Sequence, residues 1–214
     1  MENKSFYEKY HIKYVLLIAL LYALKYLFYQ ISTAINTDYH TINMAIDDMI
    51  PFCKYFLIFY VSYYVFPELL LWQISYTDKR KFYRLLISIS IACFICCICF
   101  CIYQVKMIRP EIVGDDLFSV LMRVMYDIDK EALNCFPSIH SLMGMAMIIG
   151  GYKTNKFPKW FSITSYVLGV GCILSTVFIK QHYFIDMVVG VLLMILVYAI
   201  VLYVDRKIES KKES

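Results

Sequence analysis

The chain has 214 residues, of which 61% are hydrophobic and 17% aromatic, and its formal net charge is +4. A soluble domain is usually about half apolar, so this composition indicates a membrane protein and excludes an ordinary soluble enzyme or a disordered chain. The small charge gives no indication of a nucleic-acid partner. The length fits one membrane domain without a second globular domain.

Apolar segments alternate with charged loops along the chain. A helix that crosses a membrane needs about 20 apolar residues, and six segments reach or approach that length. They are 14–35, 50–72, 85–103, 139–152, 160–179 and 183–204. We therefore predict an all-α, polytopic membrane protein with a six-transmembrane-helix bundle at 14–204, a cytoplasmic N-terminus at 1–13 and a cytoplasmic charged tail at 205–214. The fourth segment is short, so either it begins below the membrane surface or Lys153 reaches the interface to complete it.

Lysine and arginine residues collect on one side of this predicted bundle. They occur in the N-terminus, in the loops "TDKRKFYR" and "KTNKFPK", and in the C-terminal tail. Short loops rich in Lys and Arg stay in the cytoplasm, so we expect both termini to be cytoplasmic in a plasma-membrane protein. The long loop 104–137 and the histidines at 140 and 182 then face the extracytoplasmic side.

Two features inside the apolar segments need an explanation. Five of the eight cysteines lie in "CFICCICFC", where the apolar surroundings predict small hydrophobic side chains rather than disulfides or a metal site. Lys25 lies within the first apolar segment, which we interpret as a retained anchor rather than a signal peptide. Either Lys25 extends along its apolar stem towards water, or it has a functional role.

The stretch "STVFIKQHYFIDMVVG" places His182 and Asp186 four residues apart. Residues at this spacing are neighbours on a helix. A carboxylate there fixes the imidazole tautomer and raises the basicity of the other ring nitrogen, which suits a nucleophile or a base. The alternative is a buried pair that only holds helices together. Ionisable residues near a membrane favour the functional interpretation.

The motif "CFPSIHS" predicts a helix that begins after Pro137. Ser138 and the free backbone N–H groups there suit an anion, and His140 one turn further suits proton transfer. An ordinary helix start with an interfacial histidine is the alternative. Arg109, which precedes a proline, offers a planar fork to phosphate oxygens, or else anchors a helix end at the interface.

Together these groups form a set suited to phosphoryl transfer. Two histidines, one carboxylate, one arginine and a helix N-terminus occur without a dense carboxylate cluster that would hold Mg²⁺. The set favours a metal-free route through a phosphohistidine, with no cofactor.

The motifs resemble those of the type 2 phosphatidic acid phosphatase superfamily. "PSIH" at 137–140 is complete, Arg109 precedes Pro110, and the spacing from Ser175 to His182 and Asp186 is kept. Two positions differ from the family pattern, because Ile102 stands where a lysine is expected and Thr176 where an arginine is expected. Lys106 and Lys180 are the candidates to replace them. In these two departures the chain resembles the lipid phosphotransferase branch of the superfamily, whose members also differ from the pattern there. That branch includes inositol phosphorylceramide synthase-like proteins.

The resemblance implies a mechanism and a substrate class. His182 would attack phosphorus, Asp186 would orient it, and His140 would move the proton. The implied phosphate ligands are Arg109, Ser138, Ser175, Lys180 and Lys106. The substrate would be a membrane lipid phosphate in the bilayer, and the acceptor either water, in a phosphatase, or an alcohol, in a phosphotransferase. The alternative from another class is a non-catalytic transporter or scaffold, for which broken helices or ionisable groups at the membrane midplane are expected.

Overall fold

The computed structural model describes residues 12–35, 38–153 and 157–213. These residues form α-helices and one 3₁₀ turn, at Lys54–Phe56, and no strand. The helices are α1 (Ile12–Ile35), α2 (Ala45–Met49), α3 (Leu57–Ser62), α4 (Phe66–Thr77), α5 (Lys79–Ile102), α6 (Leu117–Ile128), α7 (Ile139–Gly151), α8 (Lys159–Phe178) and α9 (Phe184–Glu213). The prediction of an all-α protein is confirmed.

Five helical stretches among the described residues are long and apolar enough to cross a membrane. They are Ile12–Ile35, Lys54–Thr77, Lys79–Ile102, Lys159–Phe178 and Phe184–Lys211. The chain is therefore a polytopic membrane protein. The short α7, with 13 residues, corresponds to the predicted fourth segment, and a sixth crossing there remains a prediction.

The second apolar segment differs from the single helix that we predicted over 50–72. Its helix is interrupted between α3 and α4, where Tyr63, Tyr64 and Val65 lie outside both helices. Pro67 follows in the first turn of α4. A proline has no backbone N–H and clashes with the preceding turn, so it belongs at a helix start rather than inside a helix. The interruption places tyrosine side chains beside α7.

Two further boundaries differ from the prediction. The long loop 104–137 contains α6, whose first turn is capped by Asp116 through the amides of Phe118 and Ser119. Residues 205–213 of the predicted tail continue α9, where Asp205 accepts hydrogen bonds from Arg80 and Arg84 at the start of α5. Charged residues therefore extend α9 beyond its apolar part.

The core is built around α7, which packs against α8, α9, α4 and α5. Gly144 of α7 and Gly169 of α8 allow these two helices to approach closely, since a Cβ atom on Gly169 would lie 2.7 Å from the carbonyl oxygen of Gly144. Small residues permit such contacts between membrane helices. Cys93 and Cys96 of α5 are buried in this core as free thiols, which confirms that they act as small hydrophobic side chains.

Candidate active site

His182 lies in the turn between α8 and α9, and three groups determine its orientation. Its Nδ1 atom is 2.9 Å from the carbonyl oxygen of Cys135 and 3.5 Å from Oδ2 of Asp186. A carbonyl only accepts hydrogen bonds, so Nδ1 carries the proton and Nε2 presents its lone pair. Nε2 lies 3.4 Å from Nδ1 of His140. The ring is almost completely buried.

Asp186 is fully buried at the start of α9 and serves two structural purposes. Its Oδ2 atom accepts a hydrogen bond of 2.9 Å from the backbone N–H of Tyr183 and faces the His182 ring. Its backbone carbonyl accepts a hydrogen bond of 3.1 Å from the N–H of Ser138. Asp186 therefore holds His182 and ties the start of α9 to the start of α7.

Ser138 is the N-cap of α7. Its side chain accepts a hydrogen bond from the N–H of Ser141 at 3.2 Å, as an N-cap residue does. Ser138 is fully buried and does not line the cavity described below. Capping fixes the first turn of α7 and thereby the position of His140, two residues along.

His140 lies between two tyrosine rings from the interrupted second span. The Tyr60 ring stacks on it at a centroid distance of 4.3 Å, and the Tyr63 ring lies 4.2 Å away on a tilted plane. Its Nε2 atom is buried and has no hydrogen-bond partner. The aromatic rings hold the imidazole in place and leave one ring nitrogen for another group.

Both histidines line a cavity of about 580 Å³. Tyrosines supply much of its wall, and six line it: Tyr22, Tyr26, Tyr29, Tyr60, Tyr63 and Tyr64. Lys25 and Glu68 also line it, and the exposed rings of Tyr26 and Tyr64 border it at the outer surface of the bundle. The volume is that of a small-molecule site, and the lining is aromatic with a few polar groups.

Arg109 lies beside this cavity without lining it. Its guanidinium contacts the Asp129 carboxylate and the Gln181 side-chain oxygen, and the ring of Tyr126 lies 4.7 Å below it. Asp129 and Gln181 themselves line the cavity. In this arrangement Arg109 orients two wall residues through its terminal nitrogens, and its buried Nε atom has no hydrogen-bond partner.

The residues at the end of α8 are engaged in internal hydrogen bonds. Ser175 is fully buried and donates to the carbonyl of Cys172. Thr176, where the family pattern has arginine, is also buried, with its hydroxyl 3.3 Å from that of Ser141. The Thr176 carbonyl accepts from the N–H of His182 at 3.0 Å. Both side chains shape the turn that carries His182 and do not line the cavity.

Neither candidate replacement lysine reaches the cavity. Lys180 has a positive φ of 52° and donates to the carbonyls of Asp47 and Ile50. The Lys106 ammonium lies 4.6 Å from the Tyr39 ring centroid. Ile102, at the other departure, is highly exposed at the end of α5. The described residues thus bring His182, Asp186 and His140 together, but not these lysines.

One cluster has the composition of a metal site. The ligand atoms of Cys135, His182 and Asp186 lie within 4.8 Å of one another. The Cys135 thiol, however, points at the carbonyl of Ala132, 3.2 Å away, and burial raises the pKa of this thiol well above its usual range. Nδ1 of His182 is likewise engaged with the Cys135 carbonyl. Two of the three donor groups therefore already make hydrogen bonds within the protein, and the metal-free route stays a prediction.

These observations define a helical membrane protein with a buried histidine pair on the wall of a cavity. Residues 109–209, just under half of the chain, match the family model of the PAP2 superfamily. The resemblance inferred from the motifs is thereby confirmed at the level of the superfamily. Searches of curated proteins and of solved structures found no match. The match indicates a phosphatase- or phosphotransferase-type activity on lipid phosphates.

Several groups at the site belong to no recognisable sequence motif. The Cys135 carbonyl is a backbone atom, and Tyr60 and Tyr63 reach His140 only through tertiary packing. Lys25 could be noticed in the sequence, because it is a charged residue inside an apolar segment. These tyrosines and Lys25 lie outside the residues matched by the superfamily model, so this chain supplies part of the cavity wall from its own N-terminal helices.

Proposed function

We propose that the protein is a lipid phosphate phosphatase that works through a phosphohistidine. The observation that carries the proposal is the histidine pair. His182 presents an unprotonated Nε2 to His140 at 3.4 Å, on the wall of a cavity that the exposed rings of Tyr26 and Tyr64 border. A nucleophile with an oriented tautomer beside a second proton carrier is the arrangement that covalent phosphoryl transfer requires.

In the first step, Nε2 of His182 attacks the phosphorus of the lipid phosphate. The bond between phosphorus and the lipid oxygen breaks, and that oxygen takes a proton from the imidazolium form of His140, which becomes neutral. The products are a phosphohistidine and a lipid alcohol. The Cys135 carbonyl and Asp186 stabilise the positive charge that develops on the imidazole. A phosphorus atom does not fit into a 3.4 Å gap, so substrate entry separates the two rings.

In the second step, water attacks the phosphorus while His140 removes its proton. The bond between phosphorus and His182 breaks, and inorganic phosphate leaves. We propose that Arg109 and the start of α7 at Ser138 stabilise the phosphate oxygens, since a guanidinium and helix N–H groups are the usual ligands of phosphate. Arg109 would act after exchanging its contact with Gln181 for one with phosphate. The motifs add three further proposed phosphate ligands, although these side chains now make only hydrogen bonds or ring contacts within the protein. They are Ser175, Lys180 and Lys106.

The phosphotransferase alternative differs only in the acceptor. A lipid alcohol or polyol would replace water in the second step. The departure at Thr176 and the tyrosine-rich wall favour this alternative, because aromatic rings and amides suit a polyhydroxyl acceptor. Purified protein is incubated with phosphatidic acid, a polyprenyl diphosphate, phosphatidylglycerol phosphate or a sphingolipid, with and without a polyol. Released phosphate indicates the phosphatase, and a lipid with a new headgroup indicates the transferase.

A non-catalytic transporter is supported by one observation. The second span is interrupted, and two ionisable side chains, Lys25 and Glu68, line the cavity beside that interruption. Broken helices of this kind form transporter sites. Uptake of radiolabelled substrate into proteoliposomes, unaffected by His182→Ala and without phosphate release, would support transport over catalysis.

The membrane orientation is part of the same proposal. Lys79 and Arg80 begin α5 and Arg206 lies near the end of α9, on the side where the basic loops collect. The positive-inside rule then places both termini in the cytoplasm and the histidine pair towards the extracytoplasmic side of the plasma membrane. Phosphate released from intact cells supplied with a water-soluble lipid phosphate tests this orientation.

A further inference from the structure

Among the described residues that line the cavity, Lys25 is the only lysine or arginine. It lies in α1, about 15 Å along the helix from Ile35, yet its ammonium donates a 2.6 Å hydrogen bond to the Tyr63 hydroxyl. The Tyr63 ring contacts His140. A cation in the middle of an apolar helix is therefore one aromatic ring away from the histidine pair.

The Lys25 ammonium is only partly satisfied. Tyr63 accepts one hydrogen bond, and the rings of Tyr22 and Tyr63 lie 4.0 and 4.7 Å away. Among the described residues no carboxylate lies within 4.0 Å of Nζ, although Glu68 lines the same cavity. An ammonium has three N–H donors. Unused donors on an ammonium that no carboxylate contacts directly favour an anionic ligand.

Other cations near the site have partners already. Arg109 is paired with Asp129, and Lys54 with Asp116. The cavity wall also offers two buried nitrogens without a hydrogen-bond partner, Nε2 of His140 and Nε2 of Gln181. Unpartnered polar atoms in one cavity indicate that a polar ligand completes them.

We propose that Lys25 binds the phosphate group of the lipid substrate and replaces the positive charge missing at positions 102 and 176. This inference rests on the proposed function, because it assigns the anion of that substrate. The hydrocarbon part of the substrate lies in the cleft between α1 and α4, which Val15, Ile18 and Leu69 line and which shares Tyr64 and Glu68 with the cavity. Lipid thus enters from the side, with its phosphate at Lys25 and the histidines.

The test measures binding separately from turnover. Each variant is made in a His182→Ala background, and its affinity for 1-oleoyl lysophosphatidate is measured in detergent. Lys25→Met should weaken this binding by about 10- to 100-fold, the usual effect of losing a charge-assisted hydrogen bond, and should leave binding of monooleoylglycerol, which has no phosphate, unchanged. Lys25→Arg should retain most of the affinity. Lys13→Met is the matched control, since Lys13 is an exposed lysine of the same helix away from the cavity.

Equal affinity for lysophosphatidate in Lys25→Met and Lys13→Met would overturn the inference, as would an absence of binding when Lys25 is intact. If Lys25→Met does not fold, Lys25→Gln keeps a donor for Tyr63 and replaces it in the comparison. Turnover distinguishes the two proposals. Lys25-dependent binding without phosphate release from the unaltered protein contradicts the phosphatase alone. Phosphate release with an unchanged KM in Lys25→Met contradicts the role of Lys25 alone.

Discussion

The Nε2 atom of His182 faces the Nδ1 atom of His140 across 3.4 Å, although 41 residues separate them in the chain. The contact exists because Ser138 at the start of α7 is hydrogen-bonded to the Asp186 backbone at the start of α9. One backbone link therefore sets the spacing of the pair.

Removing the imidazole of His182 should abolish turnover. Because the phosphohistidine cannot form without Nε2, we expect His182→Ala to lower kcat for phosphate release at least about 1,000-fold. The matched control is His40→Ala, since His40 stacks on Tyr103 and does not line the cavity. EDTA should leave the activity of the unaltered protein unchanged. Inhibition by EDTA, reversed by a divalent cation, would contradict the metal-free route.

Asp186→Asn should have a smaller effect than His182→Ala. The amide oxygen can still accept from the Tyr183 N–H, and the Cys135 carbonyl still holds Nδ1 of His182. What is lost is the negative charge that stabilises the imidazolium in the transition state. We expect kcat to fall roughly 10- to 100-fold with KM little changed. Steady-state phosphate release measures this, and a loss equal to that of His182→Ala would show that the carbonyl contributes no orientation.

The tyrosines around His140 allow a test of positioning. Tyr60→Leu removes the stacked ring, and a small displacement of a catalytic imidazole is costly, so kcat should fall by about tenfold or more. Tyr60→Phe keeps the ring and should retain nearly full activity. Tyr55→Leu is the control, because Tyr55 packs on Phe118 outside the cavity. Equal activities of the Leu and Phe variants at position 60 would exclude a role for stacking.

The sequence predicted the apolar helices and the pairing of His182 with Asp186, because hydropathy and the four-residue spacing are local properties. It did not predict the interruption at Tyr63 or the contact of that ring with His140. Both depend on how α4 packs against α7, although Pro67 was a local signal for the helix start. Whether α7 begins below the membrane surface or is completed by Lys153 stays a prediction; Lys25, in the middle of α1, contacts the Tyr63 ring that lies next to His140.

Other parts of the site could not be predicted for a different physical reason. The Cys135 carbonyl orients His182, but a backbone atom has no residue signature. Lys180 and Lys106 were candidates by their proximity in sequence, and the positive φ of Lys180 turns its side chain towards Asp47 instead. Proximity along the chain does not predict where a side chain points when the residue lies in a turn.

The first turn of α6 should depend on pH. Lys54 and the Ser119 hydroxyl hold the pKa of the Asp116 carboxyl well below its usual range. The carboxylate therefore stabilises the folded helix above the ordinary pKa of about 4, and this contribution is lost as the pH falls through the lower folded-state pKa. Hydrogen-exchange protection of the amides of Phe118 and Ser119 should decrease as the pH is lowered below about 4.

Asp116→Asn provides the comparison for that measurement. The amide oxygen still caps the helix, but it cannot titrate or pair with Lys54. Protection in this variant should be lower at pH 7 and should change little between pH 7 and pH 2, after correction for intrinsic exchange. A decrease on acidification as large as in the unaltered protein would assign the pH dependence to another group.

Close packing of α7 on α8 makes a prediction about stability. A Cβ atom on Gly169 would lie 2.7 Å from the Gly144 carbonyl oxygen, a backbone atom that cannot move alone. We expect Gly169→Ala to separate the helices and to cost about 1–3 kcal/mol, the usual penalty for overpacking. Gly150→Ala should cost less, because its Cβ would meet the movable side chain of Leu70 at 2.6 Å. Thermal unfolding in detergent compares the two variants.

The same pair of variants connects packing to catalysis. A displacement of α7 carries His140 away from His182, so Gly169→Ala should lose phosphate release at temperatures where the protein is still folded. Gly150 lies near the other end of α7, far from His140. The Gly150→Ala variant should therefore keep an activity proportional to its folded fraction. Equal melting temperatures for the two variants would contradict the tight contact between Gly144 and Gly169. A Gly169→Ala variant that is destabilised but fully active per folded molecule would show that the histidine spacing does not depend on this contact.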